Sequence, residues 1–109
     1  MSASTQTIRA RRLRELFLVV HAVMSAEHEA NWIGGVENII AILGEGEADP
    51  SVADDRIDKA RRSFYSMTRG DGSFFDFSIW RENIDDRVRA NTEFSQITWA
   101  ISREFESQA

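Results

Sequence analysis

The sequence predicts an all-α fold, a single compact bundle of about four helices with a glycine- and phenylalanine-rich structured turn before the last one. Three observations lead there. Apolar residues recur at spacings of three and four through four segments. Capping and helix-stopping residues fall between those segments. The chain has 109 residues, 42% hydrophobic and 28% charged, which suits one globular domain covering residues 1–109.

Ser4 or Thr5 caps a first helix expected from about Thr7 to Glu27. Its stripe is Ile8, Leu13, Leu16, Phe17, Val20, Val23 and Met24, widened by Leu18 and Val19. Arg9, Arg11, Arg12 and Arg14 occupy its first turns, the end of the dipole that disfavours cations, so they are assigned to solvent or a partner. Arg11-Arg12 followed by Leu16–Val20, with Ser25-Ala26 beyond, loosely resembles a signal peptide. Glu15 and His21 interrupt that pattern, and the apolar run falls short of the roughly 20 residues of a membrane span. A core helix in a cytoplasmic protein is the expectation.

Residues 27–31 form the next turn, with Asn31 as candidate cap for a second helix carrying Trp32, Val36, Ile39, Ile40 and Leu43. Gly34-Gly35 costs that helix about 1 kcal/mol per glycine relative to alanine, which implies a late start or a close approach by another helix. Gly44 is expected to end it in a left-handed cap. A third helix restarts at Asp49-Pro50-Ser51, capped either by Asp49 with Pro50 at the first position or by Ser51 with Asp54. It runs to about Thr68 through Val52, Ile57, Ala60, Phe64 and Met67. Asp55 with Lys59 and Asp58 with Arg62 are i,i+4 pairs in the favourable order on a solvated face. The last helix begins at Asn83 or a neighbour, with Ile84, Val88, Asn91, Phe94, Ile97 or Thr98, Ile101 and Phe105 in helical rhythm. Asn91 falls on that apolar stripe, as a buried hydrogen-bonding residue or as part of a polar pocket.

Between the last two helices lies Arg69-Gly70-Asp71-Gly72-Ser73-Phe74-Phe75-Asp76-Phe77. Gly70 and Gly72 mark a sharply shaped backbone. On the structural reading Gly70 ends the third helix, Asp71, Ser73 and Asp76 bond loop amides, and Phe74, Phe75 and Phe77 anchor the crossing. The competing reading is a small-molecule site formed by this turn and Asn91. Residues 73–80 alternate weakly, as one short strand would.

The motif from Gly70 to Phe77, followed by Asn91-Thr92-Glu93-Phe94, resembles a family of small uncharacterised bacterial proteins. That family carries Gly-x-Gly-Ser-Phe-x-Asp-hydrophobic and then N-x-x-F in the following helix. Trp32 also fits its pattern, so the resemblance spans about the last two thirds of the chain. It implies a small helical domain, often standing alone, and no established activity.

Composition narrows the function. There is no cysteine, which excludes disulfides and thiol chemistry. The net charge is −5, with +3 concentrated in residues 1–24 and −8 over the rest. An acidic body repels phosphate backbones and argues against nucleic acid as main partner. His21 and His28 stand seven residues apart, about 10 Å along a helix, too far to share one metal ion. Asp54-Asp55 and Asp85-Asp86 point about 100° apart on their helices and make no paired-carboxylate site. No nucleophile elbow, phosphate loop or dinucleotide fingerprint occurs, and the turn lacks the spacing of a calcium loop. No cofactor is implied.

These points lead to a non-enzymatic protein-binding domain, of the kind found as immunity proteins or inhibitors beside bacterial toxins. Its expected contact surface is acidic: Glu45, Glu47, Asp49, Asp54, Asp55 and Asp58, docking a basic partner. The alternative is a self-associating structural or regulatory module using exposed aromatics such as Trp80 or Trp99, which leaves a homo-oligomer open.

Overall fold

Four helices follow one another in a computed structural model of the chain, which describes residues 4–68 and 78–107. They are α1 (Thr5–Ala26), α2 (Ile33–Ala48), α3 (Ala53–Met67) and α4 (Ile84–Glu106). The Gly70–Asp76 turn, with Asp71, Gly72, Ser73 and Phe74, lies outside the described residues. Of the weakly alternating stretch 73–80, residues 78–80 are described, and they are irregular rather than strand.

Ser4 caps α1, its hydroxyl accepting the Thr7 N–H at 3.0 Å. The helix ends in a Schellman pattern: the Glu29 N–H reaches the Met24 carbonyl at 2.9 Å and the His28 N–H reaches that of Ser25 at 3.2 Å. The geometry requires a left-handed residue after the cap, and His28 supplies it at φ 58°. This is a position that favours glycine.

Asn31 does not cap α2, which has no side-chain cap; Glu29 instead shapes the turn before it. The Glu29 carboxylate accepts the N–H groups of Asn31 and Trp32 at 2.9 and 2.8 Å, and the helix begins at Ile33. Gly35 lies against α3, as close approach requires: a Cβ there would stand 3.0 Å from the Met67 sulfur. Gly44 does not end α2, which continues through Gly46 to Ala48. The glycine that matters is Gly46, a buried crossing point. A Cβ on it would meet the Arg56 Cβ at 3.1 Å, with the Ala10 Cβ and Ala53 Cα both at 3.5 Å. Glycine here admits two neighbouring helices; it does not break its own.

Asp49 ends α2 in an extended conformation (φ −137°, ψ 107°), as the residue before a proline prefers. Neither predicted cap of α3 forms. The Asp49 carboxylate instead accepts the Ser51 amide at 2.9 Å and its hydroxyl at 2.7 Å, shaping a turn from which α3 starts at Ala53. On α3 the Asp58–Arg62 pair forms at 3.1 Å, and Asp58 also takes Arg61 at 2.6 Å. Asp55 pairs with Arg56 instead of Lys59.

α1 is the helix the other three share. It runs antiparallel to α4, with Arg9 at the Glu104 end and Glu27 at the Arg81 end. Leu13, Phe17, Val20 and Met24 of α1 pack with Val36, Ile39 and Leu43 of α2. Phe64 of α3 and Ile101 and Phe105 of α4 complete the centre. Three rings close it: Phe17–Phe64 at 5.5 Å edge-on, Phe64–Phe105 at 5.8 Å and Phe17–Phe105 at 6.1 Å between centroids.

Two substitutions check this account by thermal or chemical unfolding. Gly46→Val forces the crossing apart and should cost about 1–3 kcal/mol. His28→Gly should stabilise by on the order of 1 kcal/mol, because it relieves a left-handed non-glycine residue that is exposed and otherwise unburdened. An unchanged midpoint for both would refute the two backbone assignments.

Candidate functional site

The segment entering α4 is fixed from three directions. Asn91, two turns into α4, reaches back to Ile79: its Oδ1 accepts the Ile79 N–H at 2.8 Å, and its Nδ2 donates to the Ile79 carbonyl at 2.8 Å. The remaining Nδ2 hydrogen goes to the Arg87 carbonyl at 2.9 Å. Both amide hydrogens are therefore spent within the fold. Asn91 is the hydrogen-bonding residue of the two sequence alternatives, a clamp that reads backbone alone. Ile79 is buried beneath it.

Arg81 makes the second attachment, donating from Nη1 and Nη2 to the Glu27 carboxylate at 2.8 and 2.9 Å. That pairing holds the Glu27 carboxyl below the ordinary carboxylate range, chiefly through the Arg81 hydrogen bond. Arg87 makes the third, its Nε donating to the Arg81 carbonyl at 3.0 Å while its guanidinium stacks 3.7 Å over the Trp80 ring. Asn83 then caps α4, its Oδ1 accepting the amides of Asp85 and Asp86 at 2.9 and 3.1 Å. Trp80 is thus held firmly and yet is 69% exposed.

The stripe on α4 divides in two. Phe94, Thr98, Ile101 and Phe105 are buried, but Ile84 and Val88, which continue the same rhythm, are each 59% exposed. The expected burial of the first turns of α4 is not found at Ile84 and Val88. Trp99, farther along, is 64% exposed.

The predicted acidic surface has a different character from the one expected. All six carboxylates are engaged inside the chain. Glu45 takes Arg56 at 2.8 Å, Glu47 takes Arg14 at 2.6 Å, and Asp58 takes Arg61 and Arg62. Asp55 also pairs with Arg56, Asp54 accepts from Gln6, and Asp49 is occupied by Ser51. Asp58 and Asp49 are drawn below the usual carboxylate range, the first mainly by the Arg61 hydrogen bond and the second by the Ser51 hydroxyl.

Two of the α1 arginines expected to face solvent or a partner turn inward instead. Arg9 is only 7% exposed, its Nη2 donating to the Glu104 carbonyl at 2.7 Å near the end of α4. It serves the C-terminal carbonyls of a neighbouring helix, where cations are favoured, instead of its own N-terminus. Arg14 reaches Glu47 of α2. Tyr65 donates to Glu106, and burial together with that carboxylate pushes its phenol up to about 12.

No family model, curated protein or solved structure matches the chain. The motif resemblance to small bacterial proteins rests on its own residues.

Both histidines have local roles. His21 Nε2 lies 2.9 Å from Glu37, and His28 forms the α1 terminus. Among the described residues no group of three or more metal-ligating side chains assembles, and no helix is long and apolar enough to cross a membrane. An apolar groove of about 370 Å³ runs between α1 and α4, lined by Arg12, Glu15, Leu16, Val19, Ala100 and Glu104. Sequence reasoning missed the clamp's partner and the Arg81–Glu27 attachment, since neither Ile79 nor Arg81 stands in a local pattern that announces a long-range bond.

Two measurements check the clamp. Asn91→Ala leaves the Ile79 N–H and carbonyl unpaired, so it should cost about 1–3 kcal/mol and speed hydrogen exchange at the Ile79 amide. For Glu27 the folded carboxyl titrates below its unfolded value of 4.5, so its stabilisation is present above that pH and lost as pH falls through the folded value. The melting-temperature gap between wild type and Glu27→Gln should therefore close as the solution is acidified below about pH 4.5. A gap that stays constant would mean that the Arg81 pair contributes nothing.

Proposed function

We propose that this chain is a non-enzymatic protein-binding domain whose contact surface is the exposed apolar side of α4 with Trp80. The observation that carries the reading is Trp80 itself, 69% exposed and clamped on both sides through Ile79 and Arg81. An aromatic held rigid before contact loses little freedom on binding, and tryptophan is among the residues that dominate interface energies. Ile84 and Val88 add aliphatic area next to it in sequence.

The acidic segment is a weaker candidate, because each of its six carboxylates already has a partner in the fold. Docking there would have to displace internal pairs. Acidity still has a role: a net charge of −5 steers the domain toward a basic partner from a distance while the apolar side makes the contact. A small cytoplasmic bacterial domain of this kind suits a stoichiometric role, such as an immunity protein or inhibitor beside a toxin.

Affinity capture from the source organism tests the surface. Trp80→Ala combined with Val88→Glu should abolish retention of the partner, whereas reversing Asp54, Asp55 and Asp58 to lysine should reduce its association rate and leave contact intact. Loss of the partner only in the charge-reversed protein would overturn the apolar reading in favour of the acidic one.

A further inference from the structure

The exposed apolar positions of α4 lie on one face. At 100° per residue, Ile84, Val88, Thr92, Ser95 and Trp99 fall within about 80° of one another, a stripe about 22 Å long. The core-facing residues Phe94, Thr98, Ile101 and Phe105 lie to one side of it. The stripe has a distinctive order: aliphatic at the N-terminal end, small and polar in the middle, aromatic at the C-terminal end.

That order is its own complement when reversed. We infer that the occupant of this face is a second copy of the chain, packed α4 against α4 antiparallel about a two-fold axis near Thr92. This rests on the reading of the α4 side as a contact surface, and it assigns that surface a like-charged second copy in place of a basic partner. The register sets Ile84 and Val88 of each copy alongside the Trp99 end of the other, so each aliphatic end meets an indole. Thr92 and Ser95 lie at the centre, where small side chains let two helix backbones approach. An isologous contact of this kind uses each half twice.

Charge agrees with the same register. Asp85 and Arg103 project to the same flank of the stripe, at opposite ends of α4. In an antiparallel pair like flanks face each other, so Asp85 of one copy comes within reach of Arg103 of the other, twice per dimer. Neither residue is committed in a way that opposes this. Among the described residues the Asp85 carboxylate has no ion pair, and Arg103 is stacked at 5.1 Å over Trp99, already at the contact. A parallel pair would instead bring unlike flanks together, leaving Asp85 and Arg103 of the two copies on opposite sides of the contact.

Sedimentation equilibrium of the purified full chain, from micromolar to roughly 1 mM, reads the inference directly. The expected result is a reversible monomer–dimer equilibrium. Val88→Glu and Trp99→Glu should each raise the dissociation constant by about tenfold or more, with unchanged circular dichroism, since both positions are exposed. Asp85→Arg and Arg103→Asp should each weaken the dimer, and the double variant should recover most of the loss, a rescue that a merely structural role for either residue does not produce. A strict monomer at every concentration would overturn the second-copy assignment and leave the α4 surface free for a different protein, as the capture experiment reads. A dimer undiminished by Val88→Glu and Trp99→Glu would overturn this face as the site of self-association, while the Trp80-centred capture result would still stand or fall by itself.

Discussion

The contact among Phe17, Phe64 and Phe105 is the point on which the remaining structure depends. It is where α1, α3 and α4 meet, and the rings approach at 5.5 to 6.1 Å with tilted or edge-on geometry. α2 is added to this centre through the aliphatic side chains of Val36, Ile39 and Leu43. Burial of this kind is non-directional, so it draws the helices together without setting where each begins and ends. The directional work falls to polar groups at the periphery. Arg9 bonds a carbonyl near the end of α4, Arg81 bonds Glu27 at the end of α1, and Arg14 and Arg56 tie α2 to its two neighbours. The helices are drawn in by rings and aligned by guanidinium groups.

That division accounts for the unusual use of charge. A chain with a net charge of −5 would be expected to present its carboxylates to solvent or to a basic partner. Here four of the six acids around the α2–α3 connection, Glu45, Glu47, Asp55 and Asp58, meet arginines of the same chain. Ion pairs at such exposed positions contribute modestly to stability, within about 1 kcal/mol each. Their larger consequence is for recognition, because they lower the free charge of the surface that looks most acidic in the sequence. The apolar side of α4, by contrast, leaves Ile84, Val88 and Trp99 exposed.

The parts of this structure legible in the sequence are those decided by neighbours along the chain. Ser4 and Asn83 announce their helices because a cap acts on amides two or three residues away. The helical rhythm of all four segments is visible for the same reason. What a neighbouring helix decides was not legible. Gly44 and Gly46 have the composition of a helix stop, yet α2 passes through both, since Gly46 answers to Ala10, Ala53 and Arg56 across space. Ile84 and Val88 have the spacing of core residues, and spacing says which side of a helix they share but not whether anything covers it. Arg9 sits where its own helix disfavours it and is explained only by the end of α4. His28 has no local signal at all; its left-handed backbone follows from how α1 must close. The acidic candidates were visible as residues but not as partners of Arg14, Arg56 and Arg61. The Gly70–Asp76 turn lies outside the described residues, so of that candidate site only Asn91 can be placed.

Asn91 grips Ile79 by its amide and carbonyl, and not by its side chain. A bond to backbone is indifferent to what the residue is, provided that it is not proline. It follows that the clamp insulates position: substitutions in the adjoining segment, or a change in its length upstream, need not shift where Trp80 is presented.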